Sequence, residues 1–438
     1  MFSIRRARLI ASACVLAGLI AAVARAASEA LDPSFSTDGV ELIDFGRGSS
    51  DEATAVAIQE DGKIVTAGYG TRGGSSDFAV ARNMPSGERD RSFGTAGRVL
   101  TDVADFSGDF GEAVAIQEDG KIVVAGWTNF GAGGSSDFVL ARYRKSGVLD
   151  PTFGNGGMVL SDLGSASSDH ALAVAIQDNG KIVVAGDSDA GGGRDFAVAR
   201  YTRSGTLDPD FGAGGIVLTD LGSAVEDVAH TVAIQRDGQI VVAGESGTGS
   251  GSDFALARYS RSGALDSDFG TGGKVVTDLG SSSRDVGRAV AIQQDGRIVV
   301  AGWRMPAGGS SDFALTRYRK NGALDSSFGP GGVVLSDLLG FDLATAVAIQ
   351  PDGKILAAGG SDAGRGSDFA VARYTTTGAL DATYGTGGAV TTDLGAKRYD
   401  FAFDVAVQAD GKIVVAGFSY AGAGGGSSDN FGVARYLP

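Results

Sequence analysis

The fold is decided by a hairpin that the chain repeats, and one copy reads AVAIQDNGKIVVAG from Ala173 to Gly186. Two runs of small and β-branched residues flank the turn Asp178-Asn179-Gly180. A turn of this composition between such runs is a strong hairpin signal, because its backbone needs positive φ. The second run shows no polar alternation, which indicates a strand buried on both faces. Both runs are too short for a helix.

The hairpin occurs seven times along the chain. Its Gln-x-Asp-Gly-Lys turn, or a close variant, recurs every 57 to 60 residues, at 59–63, 117–121, 177–181, 235–239, 293–297, 350–354 and 408–412. A fixed period of this length marks stacked supersecondary units. About four short antiparallel strands fit in each repeat, so the pattern predicts an all-β, seven-bladed β-propeller. A linear β-solenoid is the alternative, but its coils are usually much shorter.

The N-terminal segment predicts how the propeller closes. Leu31 to Phe35 reads LDPSF, and the similar LDPTF at Leu149 to Phe153 follows a strand that ends in Arg-Tyr. The chain ends on such a strand at Arg435-Tyr436 without the segment that follows it elsewhere. We therefore expect the segment from about Leu31 to Ile43 to complete the seventh blade and remove a free sheet edge. The predicted domains are a signal peptide at 1–26 and a single propeller at 27–438, with sequence units of roughly 31–88, 89–148, 149–206, 207–264, 265–323, 324–379 and 380–438.

The first 26 residues and the charge predict the compartment. A basic start at Arg5, Arg6 and Arg8, an apolar run and the small residues Ala24 and Ala26 are typical of a secretory signal peptide. The only cysteine, Cys14, lies within it, so we expect no disulfide in a secreted or periplasmic protein. The net charge is −15, and without the four arginines of this segment 33 basic residues face 52 acidic ones, a net charge of −19. This charge argues against nucleic acid and anionic membranes as partners, and we expect a monomer with no membrane insertion after cleavage.

Three motifs carry a family resemblance: Leu-Asp-x-x-Phe-Gly, Ala-Val-Ala-Ile-Gln-x-Asp-Gly-Lys-Ile-Val-Val-Ala-Gly, and Asp-Phe-Ala-x-Ala-Arg-Tyr. Together they resemble the delta-60 repeat of secreted bacterial proteins from Leu31 to Tyr436. The resemblance implies a propeller-like extracellular protein, and it implies no catalytic residues and no agreed substrate. The hairpin core is also similar, more weakly, to NHL-type propellers. Asn83 and Asn430 depart from the pattern, since the other copies have Tyr and Asp there.

Aspartates recur on the side of the blades where the Gly-rich loops lie. An Asp stands eight residues before each Gln, at Asp51, Asp109, Asp169, Asp227, Asp285, Asp342 and Asp400. Two further sets end the outer strand and precede the Phe strand: Asp44, Asp102, Asp162, Asp220, Asp278, Asp337 and Asp393, then Asp77, Asp137, Asp195, Asp253, Asp312, Asp368 and, less securely, Asp429. Three carboxylates together could bind Ca²⁺. The alternative is that they cap the loops through backbone N–H groups.

An arginine recurs inside the apolar strand that precedes each Leu-Asp segment, at Arg82, Arg142, Arg200, Arg258, Arg317, Arg373 and Arg435. A half-buried guanidinium needs a carboxylate partner. We expect a structural pair with the Leu-Asp carboxylates, such as Asp150 and Asp208.

Two histidines break the repeat. His170 and His230 fall, on the predicted topology, in loops that lead into strands of adjacent blades. With Asp169, Asp227 and Glu226 they could form an acid–base or metal site, as in a propeller hydrolase or lyase that acts on polysaccharide. The alternative is that both are exposed loop side chains.

Four aromatic residues share one position after the second hairpin strand, namely Tyr69, Trp127, Trp303 and Phe418. The other copies have Asp187, Glu245 and Gly360 there. Aromatic faces beside carboxylates suit a sugar or a peptide, although these rings could simply cover blade ends. We expect a non-catalytic binding or interaction module for a glycan or a protein, with calcium as a candidate stabiliser and no other cofactor. A calcium-binding surface scaffold is a further alternative.

Overall fold

A computed structural model describes residues 30–438 except 47–48, 73, 105–106, 131–133, 223–225, 250, 339, 363–365, 396–398 and 421–428. The predicted signal peptide lies outside the described residues. Twenty-eight β-strands form the regular structure of the described part. No helix found there is long and apolar enough to cross a membrane.

The strands fall into seven blades of four. In chain order they are β1 (Val40–Ile43); β2 (Asp51–Ile58), β3 (Ile64–Arg72), β4 (Ser75–Asn83), β5 (Arg98–Thr101); β6 (Gly108–Ile116), β7 (Ile122–Asn129), β8 (Ser136–Tyr143), β9 (Met158–Ser161); β10 (Asp169–Ile176), β11 (Ile182–Ser188), β12 (Asp195–Tyr201), β13 (Ile216–Thr219); β14 (Asp227–Ile234), β15 (Ile240–Gly247), β16 (Ser252–Tyr259), β17 (Lys274–Thr277); β18 (Arg284–Ile292), β19 (Ile298–Met305), β20 (Asp312–Tyr318), β21 (Val333–Ser336); β22 (Phe341–Ile349), β23 (Ile355–Asp362), β24 (Ser367–Tyr374), β25 (Ala389–Thr392); β26 (Asp400–Val407), β27 (Ile413–Tyr420) and β28 (Asp429–Tyr436). Blade one begins at β2, and blade seven consists of β26, β27, β28 and β1.

The N-terminal strand supplies the outer strand of blade seven, as predicted. Strand β1 pairs antiparallel with β28, from Val40 opposite Ala434 to Ile43 opposite Phe431. Within every blade the neighbouring strands are antiparallel. Since β28 would otherwise be an edge, this pairing shortens the exposed sheet edge that favours aggregation.

Neighbouring blades pack face to face through apolar clusters. One cluster joins Val123 and Phe138 of blade two to Ile182 and Val184 of blade three. A comparable cluster joins blade seven to blade one. The first strands of successive blades contact each other, and β26 contacts β2 in the same way. These first strands are therefore innermost and surround a central channel.

The repeated arginine joins adjacent blades, as the pairing with Asp150 and Asp208 predicted. The buried Arg142 donates from Nε to Asp150 Oδ2 over 3.0 Å, lies 4.4 Å from the centre of the Phe153 ring, and donates from Nη1 to the carbonyl of Arg203 in the next blade. Burial opposes ionisation of Asp150, but hydrogen bonds from Thr152 and the Arg142 charge bring its pKa to about 2. The other pairs are Arg82–Asp90, Arg200–Asp208, Arg258–Asp266, Arg317–Asp325, Arg373–Asp381 and Arg435–Asp32.

Each innermost strand contains a β-bulge at the same place. In blade three Ala171 pairs with Gly186 and Ala173 with Ala185, so Leu172 is the extra residue. A Cβ on Gly186 would overlap the carbonyl oxygen of His170. A β-bulge needs room on the partner strand, which a glycine leaves because it has no Cβ. Every copy of the second hairpin strand therefore has Ala-Gly at this place.

Candidate functional site

The central channel opens, on the side of the Gly-rich loops, into a cavity of about 750 Å³. The extra residues of all seven bulges line it: Thr54, Glu112, Leu172, His230, Arg288, Thr345 and Phe403. These residues differ in size, polarity and charge, although the strands around them are nearly identical. The bulge therefore places the variable part of each repeat in one shared space.

Blades one and two form an aromatic and acidic wall. Trp127 donates from Nε1 to Glu112 Oε1 over 3.2 Å and stacks on Phe110, with ring centroids 4.3 Å apart. Tyr69 meets the edge of Phe110 at 5.1 Å. Burial raises the pKa of Glu112 to about 7, against the Trp127 hydrogen bond and the Arg288 charge. Glu112 therefore holds its proton to a higher pH than an exposed glutamate does.

Blade three places a histidine against a carboxylate. His170 Nδ1 lies 3.0 Å from Asp187 Oδ2, and Arg194 Nε lies 3.0 Å from the same oxygen. Trp127 meets the His170 ring edge-on at 4.8 Å. An Nδ1–H donated to Asp187 leaves Nε2 as the acceptor, so this imidazole is oriented by its partner.

The second histidine is held on both nitrogens. His230 Nε2 lies 3.3 Å from Glu245 Oε1, and Arg288 Nη1 donates to His230 Nδ1 over 3.1 Å. Burial and the Arg288 charge lower the pKa of His230 to about 4. At neutral pH the ring is uncharged, donates to Glu245 and accepts from Arg288.

The predicted surroundings of both histidines were wrong. His170 lies in β10 and His230 in β14, not in loops, and their side chains are only 17% and 10% exposed. Their carboxylate partners are Asp187 and Glu245 rather than Asp169, Asp227 and Glu226. Successive strand residues face opposite ways, and the bulge turns His230 into the channel. Glu226 does line the cavity.

The four predicted aromatic residues separate into two groups. Tyr69 and Trp127 line the cavity together with Asp187 and Glu245, which hold the same position in blades three and four. Trp303 packs against Arg284, whose guanidinium carbon lies 5.2 Å from the centre of the Trp303 ring. Phe418 packs on Phe403, which lines the cavity, with ring centroids 5.8 Å apart.

The seven aspartates before the innermost strands are buried and cap the preceding loops. Asp169 shows the arrangement, since its Oδ2 accepts the Leu163 backbone N–H over 2.7 Å and its Oδ1 accepts the Ser188 hydroxyl. The N–H donors to the other six are Phe45, Val103, Leu221, Leu279, Leu338 and Leu394. These contacts are the loop capping that the sequence offered as the alternative to calcium.

The three aspartate sets meet between adjacent blades. Five triads bring carboxylate oxygens within 4.8 Å of one another and could hold a metal ion: Asp77–Asp102–Asp109, Asp137–Asp162–Asp169, Asp195–Asp220–Asp227, Asp253–Asp278–Asp285 and Asp368–Asp393–Asp400. Burial and the charges of Asp393 and Asp400 raise the pKa of Asp368 to about 6. Asp429 was wrongly placed in the third set, since Asn430 of β28 is the residue that directly precedes Phe431 and pairs with Ser419.

The sequence contains seven matches to the family described as "Domain of unknown function (DUF5122) beta-propeller", over residues 59–93, 117–153, 177–211, 235–269, 293–328, 350–384 and 408–438. The chain belongs to this family. No curated protein matches the sequence. Family membership agrees with the seven blades and names no ligand.

Solved structures are similar to this chain at low sequence identity. The polysaccharide lyase Uly1 is 11% identical, with a TM-score of 0.50 over 87% of this chain and 90% of that chain. A protein of unknown function from Dyadobacter fermentans DSM 18053 is 14% identical, with a TM-score of 0.47 over 91% and 99%. The GH93 α-L-arabinofuranosidase of Fusarium graminearum, solved with arabinobiose, is 9% identical, with a TM-score of 0.46 over 90% and 96%. At this identity the likeness to Uly1 concerns the fold alone.

Proposed function

We propose that this chain, whose repeats are of the delta-60 type, is a non-catalytic module that binds a glycan in its central cavity. One observation carries the proposal. The residues that hold the blades together recur in the repeats, whereas the bulge residues that face the cavity are of six types in seven blades. Unlike side chains in a ring of like blades are expected where a ligand must be recognised, because recognition needs a few different groups in defined places.

The chemistry of the cavity favours a ligand rich in hydroxyl groups. Tyr69 and Trp127 offer aromatic surface, and the carboxylates of Asp187 and Glu245 accept hydrogen bonds. Arg288 supplies N–H donors within the same space, and His170 Nε2 supplies a further acceptor. A pyranose ring has both an apolar face and several hydroxyls, so it uses both kinds of group.

The pairing of His230 supports binding rather than turnover. Both nitrogens of His230 are engaged, which removes it as a proton carrier. His170 is different, because Asp187 orients it and leaves Nε2 as an acceptor, as a general base requires. A polysaccharide hydrolase or lyase centred on His170 is therefore the second candidate function.

Oligosaccharide binding tests the proposal, and the two tryptophans make a matched pair. We expect Trp127→Ala to weaken binding at least tenfold to whichever member of an oligosaccharide panel the wild type binds, measured by calorimetry. Trp303→Ala, outside the cavity lining, should change it little. Equal losses in both variants would contradict the cavity site. New reducing ends or unsaturated products that disappear in His170→Ala would replace the binding module with the enzyme.

Calcium is proposed as a stabiliser at the aspartate triads. Oδ1 of the buried Asp285 and Oδ1 of the buried Asp400 have no hydrogen-bond partner within the described structure, and each belongs to a triad. Ca²⁺ takes such oxygens as ligands. In thermal melts, Ca²⁺ added after EDTA should raise the melting temperature in a saturable way. At a hundredfold excess of Ca²⁺ over the dissociation constant, the free energy of unfolding should rise by about 2.7 kcal/mol. A flat response would leave these carboxylates as loop caps alone.

We further propose that residues 1–26 export the protein to the periplasm or the exterior. There it would act as a monomer that binds neither nucleic acid nor membrane, in keeping with its acidic charge. Fractionation of cells and the mass of the secreted chain test the export. Cytoplasmic protein that keeps residues 1–26 would contradict it.

A further inference from the structure

The cavity lies between two unlike groups of side chains. Blades two to four form the polar sector, defined by Glu112, His170, Asp187, His230 and Glu245. In a ring of seven, blade three faces the gap between blades six and seven. The apolar sector is a group of side chains on or next to the first two strands of those blades: Phe341, Leu343, Tyr399, Phe401, Phe403 and Phe418. Of these, Phe403 lines the cavity.

The apolar sector is a packed aromatic surface at the level of the strands. Phe401 and Phe403 lie 5.2 Å apart between ring centroids, and Phe403 and Phe418 lie 5.8 Å apart. Phe401 also covers the backbone of Gly360, where a Cβ would overlap its ring. Blade six has this glycine where four other blades have an aromatic residue, so the ring of blade seven fills the space.

The same division continues to the mouth of the cavity. The residue before each buried Asp is the first residue of an innermost strand or directly precedes it. In blades one to seven it is Ser50, Gly108, Ser168, Glu226, Arg284, Phe341 and Tyr399. Phe341 is 54% exposed and Tyr399 is 56% exposed. They hold equivalent positions on adjacent blades, and large exposed apolar side chains of this kind are typical of ligand surfaces. They are the exposed, outermost members of the apolar sector.

We propose that the ligand is an amphipathic glycoside, whose sugar contacts the polar sector and whose alkyl or aryl group lies on the apolar sector. The inference rests on the proposed glycan-binding function and specifies its ligand. A cavity of about 750 Å³ is within the range of about 300–1,000 Å³ that takes drug-sized ligands. A sugar that bonds to the polar sector directs its aglycone across the channel toward Phe341 and Tyr399.

Pairs of glycosides that differ only in the aglycone test the inference. Methyl and octyl glycosides of glucose, galactose and glucuronic acid are titrated by calorimetry below the micelle concentration of the octyl compounds. We expect the wild type to bind an octyl glycoside at least tenfold more tightly than its methyl partner. The double variant Phe341→Ser, Tyr399→Ser should bring this ratio close to one.

Leu160→Ser is the matched control, since Leu160 is 43% exposed but lies on the outer strand β9, away from the channel. It should keep the ratio of the wild type. A wild-type ratio near one, or a ratio that the double variant leaves unchanged, overturns the amphipathic ligand. If the methyl glycoside still binds and Trp127→Ala still weakens it, the glycan site stands without that specificity. If no glycoside binds, both proposals fail.

Discussion

One hydroxyl position shows how single residues adjust the repeat. Opposite the buried Asp, the second strand of most blades has Ser or Thr, and Ser188 donates to Asp169 Oδ1. Blade one has Gly70 at this position, and Oδ1 of Asp51 has no hydrogen-bond partner in the described structure. Burial raises the pKa of Asp51 to about 6. The missing donor leaves this carboxylate less satisfied than its counterpart in blade three.

Gly70→Ser should therefore stabilise the protein. A Cβ there would lie 2.8 Å from Asp51 Oδ1, which a small rotation of the carboxylate relieves, and the new hydroxyl would reach that oxygen. One added buried hydrogen bond contributes about 1 kcal/mol. Urea unfolding measures the change, and Ser188→Gly, the reverse substitution in blade three, should lose a similar amount. A less stable Gly70→Ser protein would contradict this account.

The raised pKa of Glu112 predicts a pH effect on stability. The folded state holds this proton more tightly than the unfolded chain, so the stability it contributes is present below about pH 4.5 and is lost as the pH rises through about 7. Glu112→Gln lacks this dependence. In thermal melts with EDTA, we expect the melting temperature of the variant, relative to that of the wild type, to be higher at pH 8 than at pH 4.5. Glu226→Gln, at the exposed mouth of the cavity, controls for the removal of a carboxylate charge. If the melting temperatures of the wild type and of Glu112→Gln change with pH in parallel, the prediction is refuted.

At the scale of the strand, the β-bulge is the feature that places a variable side chain of each repeat in the cavity. It lets each innermost strand keep its apolar residues between blades while one further side chain turns into the channel. The glycine of the partner strand is its structural requirement, because the displaced carbonyl takes the place of a Cβ.

Gly186→Ala should therefore be costly. The added methyl overlaps the His170 carbonyl, and overpacking of this kind costs about 3 kcal/mol. Denaturant unfolding measures the loss. Gly193→Ala is the control, since a Cβ there meets nothing within 4 Å and should change stability by less than about 0.5 kcal/mol. Equal stability of the two variants would show that the strand can straighten without strain.

At the scale of the molecule, the two ends of the chain meet in one sheet. Strand β1 pairs with β28, and Arg435 bonds to Asp32 over 2.8 Å. Blade seven therefore depends on residues that are far from it in sequence.

A chain that lacks residues 30–44 should lose stability and self-associate, because β28 becomes an edge strand. Thermal melting and sedimentation measure the two effects. A synthetic peptide of residues 30–44 should restore the melting temperature and the monomer by pairing with β28. A truncated chain that melts like the full chain would show that blade seven does not need β1.

The sequence by itself determined the number of blades, the strands of each hairpin, the closing segment and the Arg–Asp pairs. All of these follow from local rules of turn chemistry and burial that are repeated seven times, so that each copy supports the reading of the others. His230 was noticed only because histidine is rare in this chain. Its partners and those of His170 could not be inferred, since Asp187 and Glu245 are 17 and 15 residues away and meet the imidazoles through strand pairing.

Only the tertiary structure decided what faces the channel. The residue before Ala-Val-Ala-Ile, or before its variants in blades four and seven, differs in most copies, and that variation was the available signal for the bulge residues. Without the register of the second strand, an extra residue in a strand cannot be told from a regular one, and a shift of one position turns every side chain to the opposite face. The polar and apolar sectors arise from the ring itself, which brings blades far apart in sequence to opposite sides of one cavity.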